Sequence, residues 1–365
     1  MYIYTLADPI NAIALMKPHP ASISDIAKAL GVSPSTVSRA LRDHPDISPE
    51  TRDRIKEFAR QVNYRPNALA IGLKHQRSRT IGIIIPEIVH YFFSNILSGI
   101  EELAYSRGYR VMICQSNEEA EREELNLQAL LDHRVDGMLV SVSKTTREFS
   151  HFKRAIDSGI PIVFFDRICP DIDTDRVMTD DLEAARLVTA HLLQASCRRI
   201  LHLAAPLHLA IGRDRRDGYL QALSEFGMDG SHALILPCDT PEKVASLKKR
   251  ILALAPDIDG VFAVNDLTAI ALMQVLQDEG YSIPGQIAVA GFGGDLVSGI
   301  IRPRLTTVEQ KAYAMGREAV GMLLERLENP DKHIPNRTRV FPATLLVRDS
   351  TCPEKSLNEH VPLHV

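Results

Sequence analysis

Ser22-Ile-Ser-Asp-Ile-Ala-Lys-Ala-Leu-Gly-Val-Ser-Pro-Ser-Thr-Val-Ser-Arg-Ala-Leu41 carries two helix starts and one helix stop. Ser22 precedes Ile23, Ile26, Ala27 and Leu30 at helical spacing, and Asp25 completes a capping-box-like pair, so a helix is predicted over Ile23 to Leu30, stopped by Gly31. Ser33 then caps a second helix whose first position is Pro34, where a missing N–H costs nothing, with Val37, Ala40 and Leu41 facing inward. Ser48 and Pro49 repeat that cap, and Ile55, Phe58, Ala59 and Val62 form the stripe of a third helix ending near Tyr64. A helix, a tight turn containing Gly and a second helix make the helix-turn-helix that lays its second helix in the DNA major groove. Pro34, Ser35, Ser38 and Arg39 are the non-core positions of that helix, and Arg39 alone can fork onto the O6 and N7 of a guanine. Ser33, Thr36, Arg42 and Tyr64 are expected on phosphates. A lone Arg is ordinarily a solvated surface residue; the complete helix-turn-helix around Arg39 favours the reading role.

Charge follows the same division. Residues 21–79 hold eleven Lys or Arg against six Asp or Glu, a net +5, while the whole chain of 365 residues carries −4, so a short basic module is attached to an acidic body. Downstream, Pro66 blocks continuation of the third helix, and Asn67 can cap a short segment from Ala68 to Lys74 that is too brief to be stable alone. Gly72 within it costs roughly 1 kcal/mol relative to Ala in a helix.

Ile23-Ser-Asp-Ile-Ala-Lys-Ala-Leu-Gly-Val-Ser-Pro-Ser-Thr-Val-Ser-Arg39 resembles the headpiece of the lactose-repressor (LacI/GalR) family, and the likeness continues through Asn63-Tyr-Arg-Pro-Asn-Ala-Leu-Ala70 and Thr80-Ile-Gly82 to about Ser350. The resemblance implies that the segment after Asn67 is a hinge that folds as a helix only on the operator, pairs with its dimer mate and drives a Leu into the minor groove. Leu73 occupies that place, with Lys74 beside it reaching minor-groove acceptors. Such a wedge unstacks a base step at a few kcal/mol, offset by contacts along the bent duplex.

From Arg79 the chain alternates apolar strands with amphipathic helices. Strands are predicted at Thr80 to Pro86, Arg110 to Gln115, Gly137 to Val142, Pro161 to Asp166, Arg199 to Ala204, Ala233 to Pro237, Gly260 to Val264 and Ile287 to Gly291, and helices at Glu101 to Arg107, Glu121 to Asp132 and Leu267 to Glu279. Regular βα alternation means parallel sheets covered on both faces, and so many strands suggest two lobes. Ligands of such sheets sit beyond the carboxyl ends of the strands, where the loops hold Phe92, Phe93, Asp166, Arg167, Asn265, Asp266 and Gln310, while Arg215 opens a helix beginning near Arg213. Singly each reads as a helix cap or surface charge; together they suit a polyhydroxylated ligand, whose hydroxyls need donors and acceptors once desolvated. The resemblance points to the same places, with Arg215 in Arg-Arg-Asp-Gly218-Tyr, Asn265 in Val-Asn-Asp266 and Gln310 in Thr-Thr-Val-Glu-Gln as effector contacts. One departure stands out: Gly291-Phe-Gly-Gly-Asp295 puts Gly293 where the family carries an aspartate that holds ligand hydroxyls. Loss of that charge near Arg167 and Arg215 leads to the expectation of a sugar acid or sugar phosphate over a plain neutral sugar.

The expected architecture is therefore an N-terminal all-α helix-turn-helix headpiece (21–65), a hinge and linker (66–79), and an α/β two-lobed periplasmic-binding-protein-like sensor (80–350), with a tail at 351–365. Residues 1–20 are either an upstream extension, with Met16 as the natural start, or a disordered N-terminus. The five cysteines are odd in number and scattered, with no CxxC or Cys/His cluster, so neither a disulfide framework nor a metal site is indicated, no cofactor is implied, and a reducing cytoplasm is the expected compartment. No apolar run reaches the ~18–20 residues of a membrane span, and no secretion signal is evident. Catalysis in a Rossmann-like body finds no GxGxxG after the first strand, no GxxxxGK[ST] and no GxSxG, and His202, His208 and His232 lack metal-ligand spacing. A stand-alone solute receptor would share the body but not residues 21–79. The expected partners are a palindromic double-stranded operator, a sugar-like effector and a second copy of the chain; a tail without a leucine heptad points to a dimer without a helical tetramerisation segment. In the family mechanism, ligand closes the lobes, shifts the dimer contact and decides whether the hinge helices form.

Overall fold

The computed structural model describes residues 21–64, 78–228 and 230–352, and the chain divides into two compact units between Ser78 and Arg79. The hinge positions Asn67, Leu73 and Lys74, the segment 1–20 and the tail beyond Cys352 lie outside the described residues.

The first unit has three helices, α1 (Ile23–Leu30), α2 (Pro34–Ala40) and α3 (Pro49–Gln61). Their ends are set by side chains: the Ser22 hydroxyl accepts from the Asp25 N–H at 3.2 Å while the Asp25 carboxylate accepts from the Ser22 N–H at 3.0 Å, the reciprocal capping box. Gly31 ends α1 in the left-handed region at φ 67°, where a residue with a Cβ is strained. Ile26, Ala27, Val37, Ala40, Ile55, Phe58 and Ala59 form the buried core, and Leu41, Val62 and Tyr64 pack at its edge, half-exposed.

In the second unit, one sheet is parallel throughout, in the order β11-β5-β4-β3-β1-β2: β1 (Thr80–Ile85), β2 (Arg110–Gln115), β3 (Gly137–Val140), β4 (Ile162–Phe165), β5 (Arg176–Thr179) and β11 (Thr338–Phe341). The other runs β12-β10-β9-β8-β6-β7: β6 (Ile200–Ala204), β7 (Leu234–Pro237), β8 (Gly260–Ala263), β9 (Ala288–Gly293), β10 (Thr306–Glu309) and β12 (Thr344–Leu346), the last antiparallel to its neighbour. Each sheet is the centre of a lobe. The chain crosses between lobes three times, after β5, after β10 and between β11 and β12. Helices α4 (Tyr91–Ser106), α5 (Ala120–Asp132), α6 (Ser150–Asp157) and α12 (Ala312–Glu328) cover the first sheet; α7 (Asp181–Gln194), α8 (Ala210–Glu225), α9 (Pro241–Ser246), α10 (Lys248–Leu254) and α11 (Asp266–Asp278) accompany the second.

Burial on both faces explains the unbroken apolar reading of β1. Ile81, Ile83 and Ile85 meet Phe93, Ile96 and Ile100 of α4 and Met315 and Leu323 of α12, while Ile84 packs on the opposite side with Leu130 and Phe152. Four strands, β5, β10, β11 and β12, are additions to those expected from the sequence. They are three or four residues long, rich in Thr and Arg, and flank the crossovers, so they lack the apolar runs that mark the central strands. Thr351 is buried, holding Thr306 and His191 through its hydroxyl, so packed structure continues one residue past Ser350.

Candidate functional site

Two separate surfaces carry the candidate residues. In the first unit, Ser33 caps α2 by accepting from the Thr36 N–H at 3.1 Å, and its hydroxyl also meets those of Ser35 and Thr36. Pro34, Ser35 and Arg39 are exposed along α2, Thr36 and Ser38 are half-buried, and Arg42 is exposed just past its end. Arg39 lies 3.8 Å from Asp46, with both side chains more than half exposed, a tether too weak in water to hold it from another partner. Tyr64 packs at the edge of the three-helix core, where burial pushes its phenol up.

In the second unit, the loops at the carboxyl ends of both sheets enclose a cavity of about 430 Å³. Phe92, Phe93, Asp166, Arg167, Arg215, Asn265, Asp266, Gly293 and Gln310 all line it. Phe92 and Phe93, in the first turn of α4, meet edge to face at 5.3 Å between ring centres. Asp166 follows β4 at φ 58°, a left-handed conformation that non-glycine residues hold only where the surroundings enforce it. Its carboxyl is buried, accepts from Ser141 at 3.3 Å and is pushed up by burial against the pull of Arg167 and Arg215. Asn265 caps α11: its carbonyl accepts from the Thr268 N–H and its amide donates to the Asp239 carbonyl, both at 2.8 Å. Asp266 accepts from the Thr307 hydroxyl at 2.5 Å and the Asp295 N–H at 2.7 Å, yet burial lifts it to about 6. Gln310, just past β10, donates to Thr179, the last residue of β5, at 3.0 Å.

Arg215 sits in the second turn of α8, which begins at Ala210; Leu209 flanks it, so the helix starts three residues earlier than expected. Its Nε and Nη2 both reach the Asp181 Oδ1 at 2.8 and 2.7 Å, its Nη1 donates to the Val264 carbonyl at 2.7 Å, and the guanidinium lies 3.7 Å from the Phe292 ring centre. Burial pushes Asp181 up to about 6 in spite of that pairing. Arg167 donates through Nη1 to both oxygens of Glu118, at 2.9 and 2.6 Å, and its Nε is 3.9 Å from Asp166.

These pairings bear on the expectation of a sugar acid or sugar phosphate. It rested on Arg167 and Arg215 being left without a carboxylate opposite Gly293. Each cation instead has its own carboxylate, and Asp266 stands 4.0 Å from where a Gly293 Cβ would lie. The cavity is lined by seven carboxylates (Glu87, Glu118, Asp166, Asp239, Glu242, Asp266 and Asp295) against Lys144, Arg167 and Arg215. An anion entering it would meet net repulsion.

Sequence reasoning passed over Glu118, Lys144 and Asp239, which follow β2, β3 and β7 at the same sheet ends. The strand-end rule covers their loops, but a single charge in a polar loop has no local mark separating it from a solvated one. Among the described residues, no three His, Cys, Asp or Glu side chains are grouped to hold a metal ion, and no helix is long and apolar enough to cross a membrane.

The comparisons with known proteins agree with this division. A family model described as "Bacterial regulatory proteins, lacI family" matches residues 22–67, and one described as "Periplasmic binding proteins and sugar binding domain of LacI family" matches residues 78–346. A ribose operon repressor of Halalkalibacterium halodurans is 31% identical over 330 residues, covering 90% of this chain and 97% of its own. Among solved structures, the transcriptional regulator CelR in complex with cellobiose aligns at TM-score 0.68 and 26% identity, covering 90% of this chain and 99% of its own. The lac repressor dimer bound to operator and the anti-inducer ONPF aligns at TM-score 0.76 over 91% of this chain and 99% of its own; at 22% identity that likeness speaks to the fold.

Proposed function

The chain belongs to the LacI family of bacterial regulatory proteins and is a ligand-responsive, DNA-binding transcription regulator; from that premise we propose that it represses sugar-utilisation genes and answers to a neutral polyhydroxylated ligand. The observation that carries the ligand class is the pairing of both cavity guanidiniums, Arg215 with Asp181 and Arg167 with Glu118. With its cations neutralised, the cavity offers carboxylate, amide and carbonyl acceptors beside aromatic faces, which satisfy hydroxyls and disfavour anions. The names of the relatives, a ribose operon repressor and a regulator holding cellobiose, support the same class.

On DNA, a dimer sets two α2 helices in successive major grooves of a palindromic operator. Arg39 reads a guanine and Ser35 and Ser38 line the base-facing side with Pro34, while Ser33, Thr36, Arg42 and Tyr64 serve the phosphates. Asn67 starts the hinge segment, and Leu73 and Lys74 enter the minor groove. Phe92, Phe93, Asp166, Asn265, Asp266 and Gln310 hold the ligand with Arg215 and Arg167 behind them, Gly293 leaves room beside Asp266, and no catalytic step is assigned to the cavity. The test is selection of bound sequences from a randomised duplex library with purified protein. Fluorescence anisotropy on the selected duplex follows, titrated with neutral sugars, sugar acids and sugar phosphates. A palindromic winner whose binding responds to a neutral sugar supports the reading; a response confined to acids or phosphates overturns the ligand class, and no enrichment overturns the DNA role.

A further inference from the structure

The loop after β3 is fixed from beneath by two carboxylates. Glu123, fully buried on α5, accepts from the Ser143 N–H at 2.6 Å and the Thr146 hydroxyl at 2.8 Å and contacts His151 at 3.2 Å; Glu118 accepts from the Lys144 N–H at 2.8 Å. This anchored loop presents Lys144 across the cavity to the other lobe. There the Lys144 ammonium lies 2.8 Å from an Asp239 oxygen, and the Lys144 carbonyl accepts from His208 Nε2 at 2.6 Å. One residue of the first lobe is thus held by two groups of the second, by side chain and by main chain. Asp239 itself is held in place: its other oxygen takes Lys243 at 2.6 Å, and its carbonyl accepts from Asn265. The Asp239 side chain is 4% exposed and that of Lys144 22%, so the pair is shielded from the screening that weakens surface ion pairs.

We propose that Lys144 and Asp239 form the latch that holds the two lobes closed over the cavity, with Glu118 and Glu123 positioning Lys144 for it; the proposal rests on the reading of the cavity as the effector site. The loop of each partner is tied to its own lobe, so the pair can form only when the two rims meet. An ion pair made in one of two states biases the equilibrium between them. A ligand that fills the cavity without competing for Lys144 keeps the latch, whereas a carboxylate or phosphate near Lys144 displaces Asp239. The latch thereby adds a conformational reason for preferring a neutral ligand, and it makes Lys144 and Asp239 determinants of the response without requiring either to read the ligand's hydroxyls.

The test is backbone hydrogen exchange on the full chain, followed at the rim segments 205–211 and 238–242, for wild type, Lys144→Met, Lys144→Arg and Asp239→Asn. Opening the rim exposes these segments, so Lys144→Met and Asp239→Asn are expected to speed their exchange on the order of tenfold, while Lys144→Arg, which keeps the charge, stays near wild type. Unchanged exchange in Lys144→Met overturns the latch; so does Lys144→Arg exchanging as fast as Lys144→Met, since loss of packing alone would then account for the effect. Exchange in β1 and β8 of the same samples reports global destabilisation separately. Anisotropy of each variant on the selected duplex keeps the two readings apart: failure of wild type to bind any duplex removes the regulatory reading, while the rim exchange judges the latch alone.

Discussion

Arg39 and Arg42 stand three residues apart at the end of α2, both exposed, yet different work is expected of them. A guanidinium forked onto a guanine discriminates bases; one on a phosphate only adds attraction. Arg39→Ala should cost about 1–3 kcal/mol on the preferred duplex and little on a duplex altered at the contacted base pair, whereas Arg42→Ala should weaken both alike and lower the salt slope by about 1. Anisotropy on the two duplexes across a salt series separates them, and equal losses for both variants on both duplexes would remove Arg39 from base reading. In the cavity, Asp266 has the opposite problem of too little solvent. Burial raises it from its ordinary 3.8 to about 6, so the folded protein binds this proton more tightly than the unfolded chain. Its stabilising contribution is complete below about pH 4 and is lost as pH rises through about 6, amounting to roughly 3 kcal/mol across that window. Urea unfolding of wild type and Asp266→Asn should therefore show wild type losing ground by about 2–3 kcal/mol between pH 4 and pH 7.5. A difference that stays constant with pH would mean that Asp266 keeps enough water to ionise normally.

Helices α4 and α12 meet through their backbones. A Cβ on Gly316 would lie 2.2 Å from the Ile96 carbonyl oxygen, and one on Gly99 would lie 2.2 Å from that of Tyr313, so each glycine makes room for the other helix's main chain. Gly321, on the same helix α12, faces only the Leu103 side chain at an ordinary 3.8 Å. Gly316→Ala should thus destabilise by about 2–3 kcal/mol, as overpacking against a rigid backbone does, while Gly321→Ala should be neutral or gain up to about 1 kcal/mol from helix propensity. Thermal unfolding of the two variants tests the crossing, which is loose if both behave alike. Elements of this kind were legible in proportion to how local their causes are. The headpiece helices announce themselves because Ser22, Ser33 and Ser48 cap within three residues, and β1 because Ile81 to Ile85 are apolar throughout. The crossover strands stayed hidden, since Arg176–Thr179 and Thr338–Phe341 owe their conformation to each other across a long stretch of chain and carry no apolar run. The cavity divides the same way. Strand ends pointed to Asp166 and Asn265, and the family resemblance to Gln310, but the carboxylates that neutralise Arg215 and Arg167, Asp181 and Glu118, lie 34 and 49 residues away in sequence, and only the folded topology brings them together.

At the scale of the whole molecule, charge and core size differ sharply between the two units. Residues 1–78 carry a net +4 and residues 79–365 a net −8, while the headpiece core has seven buried apolar residues against four larger clusters in the body. A small core leaves a marginal domain, because the fraction of surface buried on folding rises with size. Each unit has its own core, so scanning calorimetry of the full chain should give two transitions, a small one from the headpiece below a larger one from the body. Binding linkage then assigns them. The selected duplex at a hundredfold excess over its dissociation constant stabilises whatever it binds by about 2.7 kcal/mol, so it should raise the headpiece transition, and raised salt should erase that gain as counterion release becomes less favourable. A neutral sugar that answers in anisotropy should raise the body transition and be nearly indifferent to salt, because an uncharged ligand displaces no counterions and has no net charge for salt to screen. A single transition moved equally by duplex and sugar would show that the two units melt as one, and the coupling between cavity and DNA would then have to run through a shared core and not through the chain that joins them.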